Sequence, residues 1–169
     1  MFKEKKEKIA LFGGSFDPPH FGHIEIVEKA LSSLDIDKIV VVPTYLNPFK
    51  DRFFLPPKER FSRLVDIFRD YRGVELCNFE IRQKRAVSTV ETIDYLKERY
   101  IVKYIVVGAD NLEHIDRWRD FNRLNRDHIW AIATRDGYKI DGQGVNQFKI
   151  LEVNAKISST EIRQKGNII

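Results

Sequence analysis

Within eleven consecutive residues, Gly13-Gly14-Ser15-Phe16-Asp17-Pro18-Pro19-His20-Phe21-Gly22-His23 gathers the groups that hold a phosphate chain. Two adjacent glycines leave the backbone free to adopt positive φ and to bring its N–H groups against an anion. His20 and His23 stand three apart, so at a helix start both imidazoles project from one face, and Gly22 leaves space where a side chain would stand. The apolar run Ile9-Ala10-Leu11-Phe12 precedes this stretch and an amphipathic segment from Ile24 follows it, giving the order strand, glycine turn, helix. The positive end of that helix faces the turn, which suits an oligophosphate. Alone, a Gly-Gly pair is often only a tight turn, and one His at a helix start a surface residue. Together these features meet several independent requirements of one ligand.

The elements that must position these groups alternate along the chain. Gly22 to about Leu34 carries Ile24, Val27, Ala30, Leu31 and Leu34 at helical spacing. Lys38-Ile39-Val40-Val41-Val42 is a short apolar run of the buried-strand type, stopped by Pro43, and a loop through Tyr45, Asn47, Pro48 and Lys50 follows. Pro57 opens a helix to about Arg69 with a core stripe of Phe61, Leu64, Val65 and Phe68. Val74-Glu75-Leu76-Cys77 reads as a strand, and Ser88 with Glu91 has capping-box spacing before a helix carrying Val90, Ile93 and Leu96. Tyr104-Ile105-Val106-Val107 is a further buried strand. It ends at Gly108-Ala109-Asp110, where Asp110 and Glu113 have an acidic cap pattern before a helical stretch with Leu112 and Ile115. Ile129 to Ala133 and Lys149 to Val153 make two more strands, and a last helix opens at Ser158 with Glu161 as its box partner.

This alternation predicts an α/β protein, a Rossmann-like three-layer sandwich whose parallel sheet is covered on both faces. Ligands then bind outside the carboxyl ends of the strands. The segments Gly13 to His23, Pro43 to Lys50, Gly108 to Asp110 and Thr134 to Tyr138 each follow a strand and fall at that edge.

The totals fit one domain spanning 1–169 with a real core. A chain with 43% hydrophobic and 32% charged residues is ordinary for a soluble protein, and no apolar run approaches the ~20 residues of a membrane helix. The charged start, Met1 to Lys8, lacks the apolar region of a signal peptide. Cys77 is the only cysteine, which excludes an intrachain disulfide and a cysteine-based zinc site. The expected location is the cytoplasm. A net charge of +4, scattered along the chain, suits anionic substrates and forms no nucleic-acid-binding tail. No P-loop, Gly-x-Gly-x-x-Gly dinucleotide fingerprint, nucleophile elbow or zinc-protease pair is present.

The stretch Gly13 to His23 resembles the signature of the nucleotidyltransferase superfamily, and its Gly-Gly-Ser-Phe-Asp-Pro-Pro-His form is most similar to nicotinate-nucleotide adenylyltransferases. Ile157-Ser158-Ser159-Thr160-Glu161-Ile162-Arg163 resembles the family's second motif, so the likeness runs from Gly13 to Arg163. It implies an ATP site drawing on Gly13, Gly14, Ser15, Phe16, His20, Gly22 and His23, on Gly108 and Asp110, and on Ser158, Ser159, Thr160 and Arg163. His20, His23 and Arg163 are the implied catalytic residues, donors to the triphosphate. For the acceptor it implies Lys50, Thr89, Trp118 and Arg135. Each has an ordinary alternative: a helix cap for Ser158 and Asp110, core packing for Trp118, a surface cation for Lys50. The implied chemistry is adenylyl transfer from ATP to nicotinate mononucleotide, with Mg2+ bound through the ATP phosphates and no protein metal site. ATP and nicotinate mononucleotide are the expected partners, without nucleic acid or membrane, and self-association stays open.

Phe49, Ser88 and Asp136 depart from the family's usual His, Tyr and Pro, and the departures bear on the acceptor pocket. Two alternatives remain. A pantetheine-phosphate adenylyltransferase also uses His-x-Gly-His, but its pattern has Thr ahead of the motif, where this chain has Pro18-Pro19. A nucleotide-binding sensor would have kept the fold and lost turnover.

Overall fold

Four apolar runs form the centre of one sheet in a computed structural model, which describes residues 5–47, 52–141 and 144–154. They are β1 (Glu7–Gly14), β2 (Lys38–Pro43), β4 (Tyr100–Gly108) and β5 (Ile129–Ala133), with the shorter β3 (Val74–Leu76) and β6 (Phe148–Leu151) at the edges. All pairings are parallel, in the order β3-β2-β1-β4-β5-β6. The central strands read as nearly continuous hydrophobic sequence because helices cover both of their faces. Ile9, Leu11, Val40, Val42, Ile105 and Trp130 face one layer, packing with Val90, Ile93 and Leu96 of α4 (Thr89–Leu96). Ala10, Phe12, Ile39, Val41 and Val106 face the other. There they meet Val27 and Ala30 of α1 (Phe21–Ser33) and Leu64 and Phe68 of α2 (Pro57–Phe68). The Rossmann-like three-layer sandwich expected from the sequence is the fold found.

From β1 the chain winds outward through β2 to β3, then returns so that β4 lies on the free side of β1. The winding direction therefore reverses between β1 and β4. The turns leaving those strands diverge to opposite faces and open a crevice at the sheet's carboxyl edge. The segments Gly13 to His23 and Gly108 to Asp110 leave the two strands that flank it.

The structure revises several boundaries. β4 begins at Tyr100, four residues early: Tyr100 and Val102 are buried while Ile101 between them is 46% exposed, so this half of the strand alternates. The core stripe of α2 is Arg60, Leu64 and Phe68, and Val65 faces outward at 38% exposure. Two short helices, α3 (Phe79–Gln83) and α5 (Phe121–Asp127), were not expected. Each buries a single residue, Glu80 and Leu124, so neither carries an apolar period. After Gly108 the chain forms a 3-10 helix over Ala109–Arg117, with no side-chain cap; Asp110 is not the cap its position suggested.

Candidate active site

The turn between β1 and α1 is held by its own two histidines. His20 is the N-cap of α1, and its Nδ1 accepts the Gly22 N–H at 2.9 Å. His23 reaches back, and its Nδ1 accepts the His20 N–H at 3.1 Å. A cap of this kind usually uses hydroxyl or carboxyl oxygens; here two imidazoles do the work. Because each Nδ1 accepts a hydrogen bond, each ring is neutral with its proton on Nε2. The rings stack at 3.8 Å between centroids, a contact two cations would resist. Burial, and then the neighbouring His20, hold the His23 pKa well below the ordinary 6.5. Two neutral Nε2–H donors are thus fixed side by side at a helix N-terminus whose first turn carries no acidic residue.

The glycines serve this turn otherwise than expected. Gly13 and Gly14 lie in β1, and the left-handed residue is Phe16, at φ 48°. A non-glycine residue there costs about 1–2 kcal/mol. Packing holds it: Phe16 is 2% exposed, its ring edge-on to Phe12 at 5.1 Å and to His23 at 4.7 Å. Gly14 makes room for that ring, since a Cβ on Gly14 would stand 3.3 Å from it. The Asp17–Pro18 peptide that follows is cis. Among the described residues, the N–H groups of Ser15 and Phe16 have no protein partner.

Behind the turn stand two buried charged residues that sequence reasoning missed. The Arg60 side chain, 1% exposed, donates from Nη1 to the Ser15 carbonyl at 2.6 Å and the Thr44 carbonyl at 2.8 Å. Nη2 donates to the Tyr45 carbonyl at 2.8 Å and Nε to the Leu55 carbonyl at 3.0 Å. Asp17, 4% exposed, accepts the Phe54 and Leu55 N–H groups, each at 2.6 Å. Burial lowers the Arg60 pKa, and Asp17 opposes that shift. The signal that could have found Arg60 is its place two helical turns before Phe68 on the buried stripe, at i and i+4 with Leu64.

Across the crevice, Asp110 and Arg135, named from sequence for nucleotide and acceptor respectively, form one ion pair at 2.8 Å. Their side chains are 33% and 44% exposed. A Cβ on Gly108 would stand 2.5 Å from Asp110 Oδ1, so a side chain there would displace that carboxylate. Thr89 is the first residue of α4, whose capping box is present as expected: Ser88 Oγ accepts the Glu91 N–H at 3.4 Å and the Glu91 carboxylate accepts the Ser88 N–H at 2.9 Å. Trp118 is half-buried, edge-on to Trp130 at 5.9 Å and packed against the core cluster. Lys50 and Ser158, Ser159, Thr160 and Arg163 lie outside the described residues. The described chain ends beside α1, where the Asn154 N–H donates to Glu25 Oε1 at 2.7 Å, two residues from His23. Among the described residues, no group of three or more His, Cys, Asp or Glu stands together as a metal site, and no helix is long and apolar enough to cross a membrane.

A parallel sheet in this order, with a paired-imidazole helix start at its switch point, defines a nucleotidyl-transferring class of enzyme. Residues 11–165 match the family described as Cytidylyltransferase-like. A Sulfurovum sp. (strain NBC37-1) protein named "Probable nicotinate-nucleotide adenylyltransferase" is 43% identical over 169 residues, covering 99% of this chain and 89% of its own length. A Campylobacter jejuni (strain RM1221) protein of the same name is 46% identical over 162 residues, covering 95% of this chain and 87% of its own. The fold is also that of Plasmodium falciparum nicotinic acid mononucleotide adenylyltransferase complexed with NaAD: TM-score 0.76 at 22% identity, covering 94% of this chain and 83% of that one. The chain belongs to the nicotinate-nucleotide adenylyltransferase family and is an enzyme of that type.

Proposed function

We propose that the enzyme transfers the adenylyl group of ATP to nicotinate mononucleotide. An oxygen of the acceptor phosphate attacks the α-phosphorus of ATP, the bond from that phosphorus to the oxygen bridging to the β-phosphate breaks, and pyrophosphate leaves as the dinucleotide forms. A phosphate monoester, with a second pKa of about 6, is largely ionised near neutral pH and needs no general base. Catalysis is then positioning and stabilisation of charge on the departing pyrophosphate.

The observation that carries this reading is the reciprocal backbone clamp on His20 and His23, which leaves two neutral Nε2–H donors at the switch point. They suit the β- and γ-phosphates, and the Ser15 and Phe16 N–H groups suit the adjoining oxygens. Arg163, with Ser158, Ser159 and Thr160, is assigned to the same pyrophosphate by resemblance. Gly108 and Asp110 are assigned to the ATP ribose, and Lys50, Thr89, Trp118 and Arg135 to the acceptor. The imidazoles do not fit a metal, because a protonated Nε2 has no lone pair to give. Mg2+ therefore belongs with the substrate as MgATP, held by phosphate oxygens and water. The Cys77 thiol, which is free, fits a cytoplasmic enzyme.

The test is pyrophosphate release from ATP with nicotinate mononucleotide, nicotinamide mononucleotide and phosphopantetheine in parallel. The expected result is turnover with nicotinate mononucleotide. Turnover with phosphopantetheine alone would assign the pantetheine-phosphate reaction instead, and no turnover with any acceptor would make the chain a sensor.

A further inference from the structure

Arg60 is 1% exposed, yet it holds three of the segments on this side of the crevice. One guanidinium accounts for the carbonyls of Ser15, Thr44, Tyr45 and Leu55. Those residues come from the turn after β1, the loop after β2 and the approach to α2, and Asp17 ties the first to the last again through Phe54 and Leu55. A buried guanidinium is costly to desolvate unless its donors are satisfied, so placing four of its N–H donors on four carbonyls is a specific arrangement, not incidental packing.

The consequence follows from the planar trans peptide, in which C=O and N–H point in opposite directions. Fixing the Ser15 carbonyl on Arg60 aims the Phe16 N–H away from Arg60. Fixing the Thr44 and Tyr45 carbonyls likewise aims the N–H groups of Tyr45 and Leu46 away from it. The Thr44 hydroxyl Oγ1 is itself buried without a partner among the described residues. The same bond to Ser15 holds the peptide before Phe16, the residue kept in the left-handed region.

We propose that Arg60 is the positioning residue of the phosphate-binding turn: its guanidinium pins the carbonyls of Ser15, Thr44 and Tyr45 from behind, so that the Phe16 N–H faces the ATP phosphates in a fixed direction. Asp17 completes the latch by holding Phe54 and Leu55. This role rests on the reading of the turn as the pyrophosphate site, and it acts through the backbone without contact to the reacting atoms.

The experiment compares wild type with Arg60→Lys, which keeps the charge but offers three donors from one point in place of a planar fork. Pyrophosphate binding is measured by calorimetry, and KM for ATP and for nicotinate mononucleotide separately. Arg60→Lys is expected to weaken pyrophosphate binding and raise KM for ATP by about tenfold or more, as loss of oriented donors does, while KM for the acceptor changes less than about threefold. The pyrophosphate-induced shift of the Phe16 amide resonance is expected to shrink with it. A general loss of stability would reduce the active fraction and leave Kd and both KM values unchanged. A folded Arg60→Lys that binds pyrophosphate within twofold of wild type would overturn the proposal. Should Arg60→Lys fail to fold, Asp17→Asn takes its place, with weakened pyrophosphate binding expected and unchanged binding overturning the latch. Wild type that binds pyrophosphate but does not adenylylate nicotinate mononucleotide would overturn the proposed reaction while the Arg60 comparison still stands; wild type that binds no pyrophosphate overturns both.

Discussion

The two turns that flank the switch point are built on opposite plans. After β1 the donors are neutral, packed against aromatic rings and fixed by backbone hydrogen bonds, with Arg60 and Asp17 sealed behind them. After β4 the groups are a charged pair, Asp110 and Arg135, half open to solvent, with Arg135 also lying over the Tyr138 ring. An exposed pair of this kind contributes about 0–1 kcal/mol and weakens with salt. Breaking it for a ligand costs little, whereas the β1 donors are held in place by backbone hydrogen bonds of the turn itself. The first turn is pre-organised for charge that develops in the reaction; the second is suited to accept a sugar or an acceptor group by exchanging one partner for another.

Substitutions should separate the two sides. The largest effect is expected from His23→Ala, which removes one donor and the clamp on the His20 N–H; kcat for pyrophosphate release should fall by about 10²–10³-fold, the usual cost of one pre-organised donor. A loss under threefold would strike the β1 turn from the mechanism. Next comes Asp110→Ala, expected to raise KM for ATP by about tenfold with kcat little changed, as for a hydrogen bond made equally in ground and transition states. If kcat falls instead, the β4 turn is as catalytic as the β1 turn. Gly108→Ala should reproduce part of that KM effect by driving Asp110 from its place.

The smallest effect concerns stability on the α3–α4 side. Glu80, 5% exposed, accepts the Thr92 hydroxyl at 2.6 Å, and burial pushes its pKa up from 4.5 to about 8. The native state therefore holds a proton that the unfolded chain releases above about pH 4.5, and stability falls as pH rises toward 8, with a slope of about 1.4 kcal/mol per pH unit at most. Glu80→Gln should flatten the decline of Tm between pH 5 and 8 and leave ATP binding alone; an unchanged slope would remove Glu80 as its source. His23 works in the opposite direction. Its lowered pKa costs stability only when pH drops below about 6.5, where the unfolded chain takes up a proton that the native ring resists.

Much of this was legible in the residues. Strands covered on both faces leave unbroken apolar runs, so β1, β2 and β5 stood out, and the capping box at Ser88 was found by spacing alone. What escaped had only a weak local signature. Arg60 sits in a helical stripe where a long cation reads as surface, and its partners are carbonyls, which sequence does not show. Phe16 takes the left-handed conformation expected of the neighbouring glycines, because its ring is packed between Phe12 and His23. Asp110 and Arg135 were assigned to different ligands, and only the pairing of β4 with β5 brings them together.

His20 and His23 are neutral donors, set by backbone N–H groups before any nucleotide arrives. The most direct measurement is the nitrogen NMR spectrum of both imidazoles in the free enzyme between pH 5.5 and 8. The expected spectrum shows the Nε2–H tautomer for both rings at neutral pH, with His23 still neutral at pH 6. An imidazolium at pH 7, or a proton on Nδ1 of either ring, would contradict it.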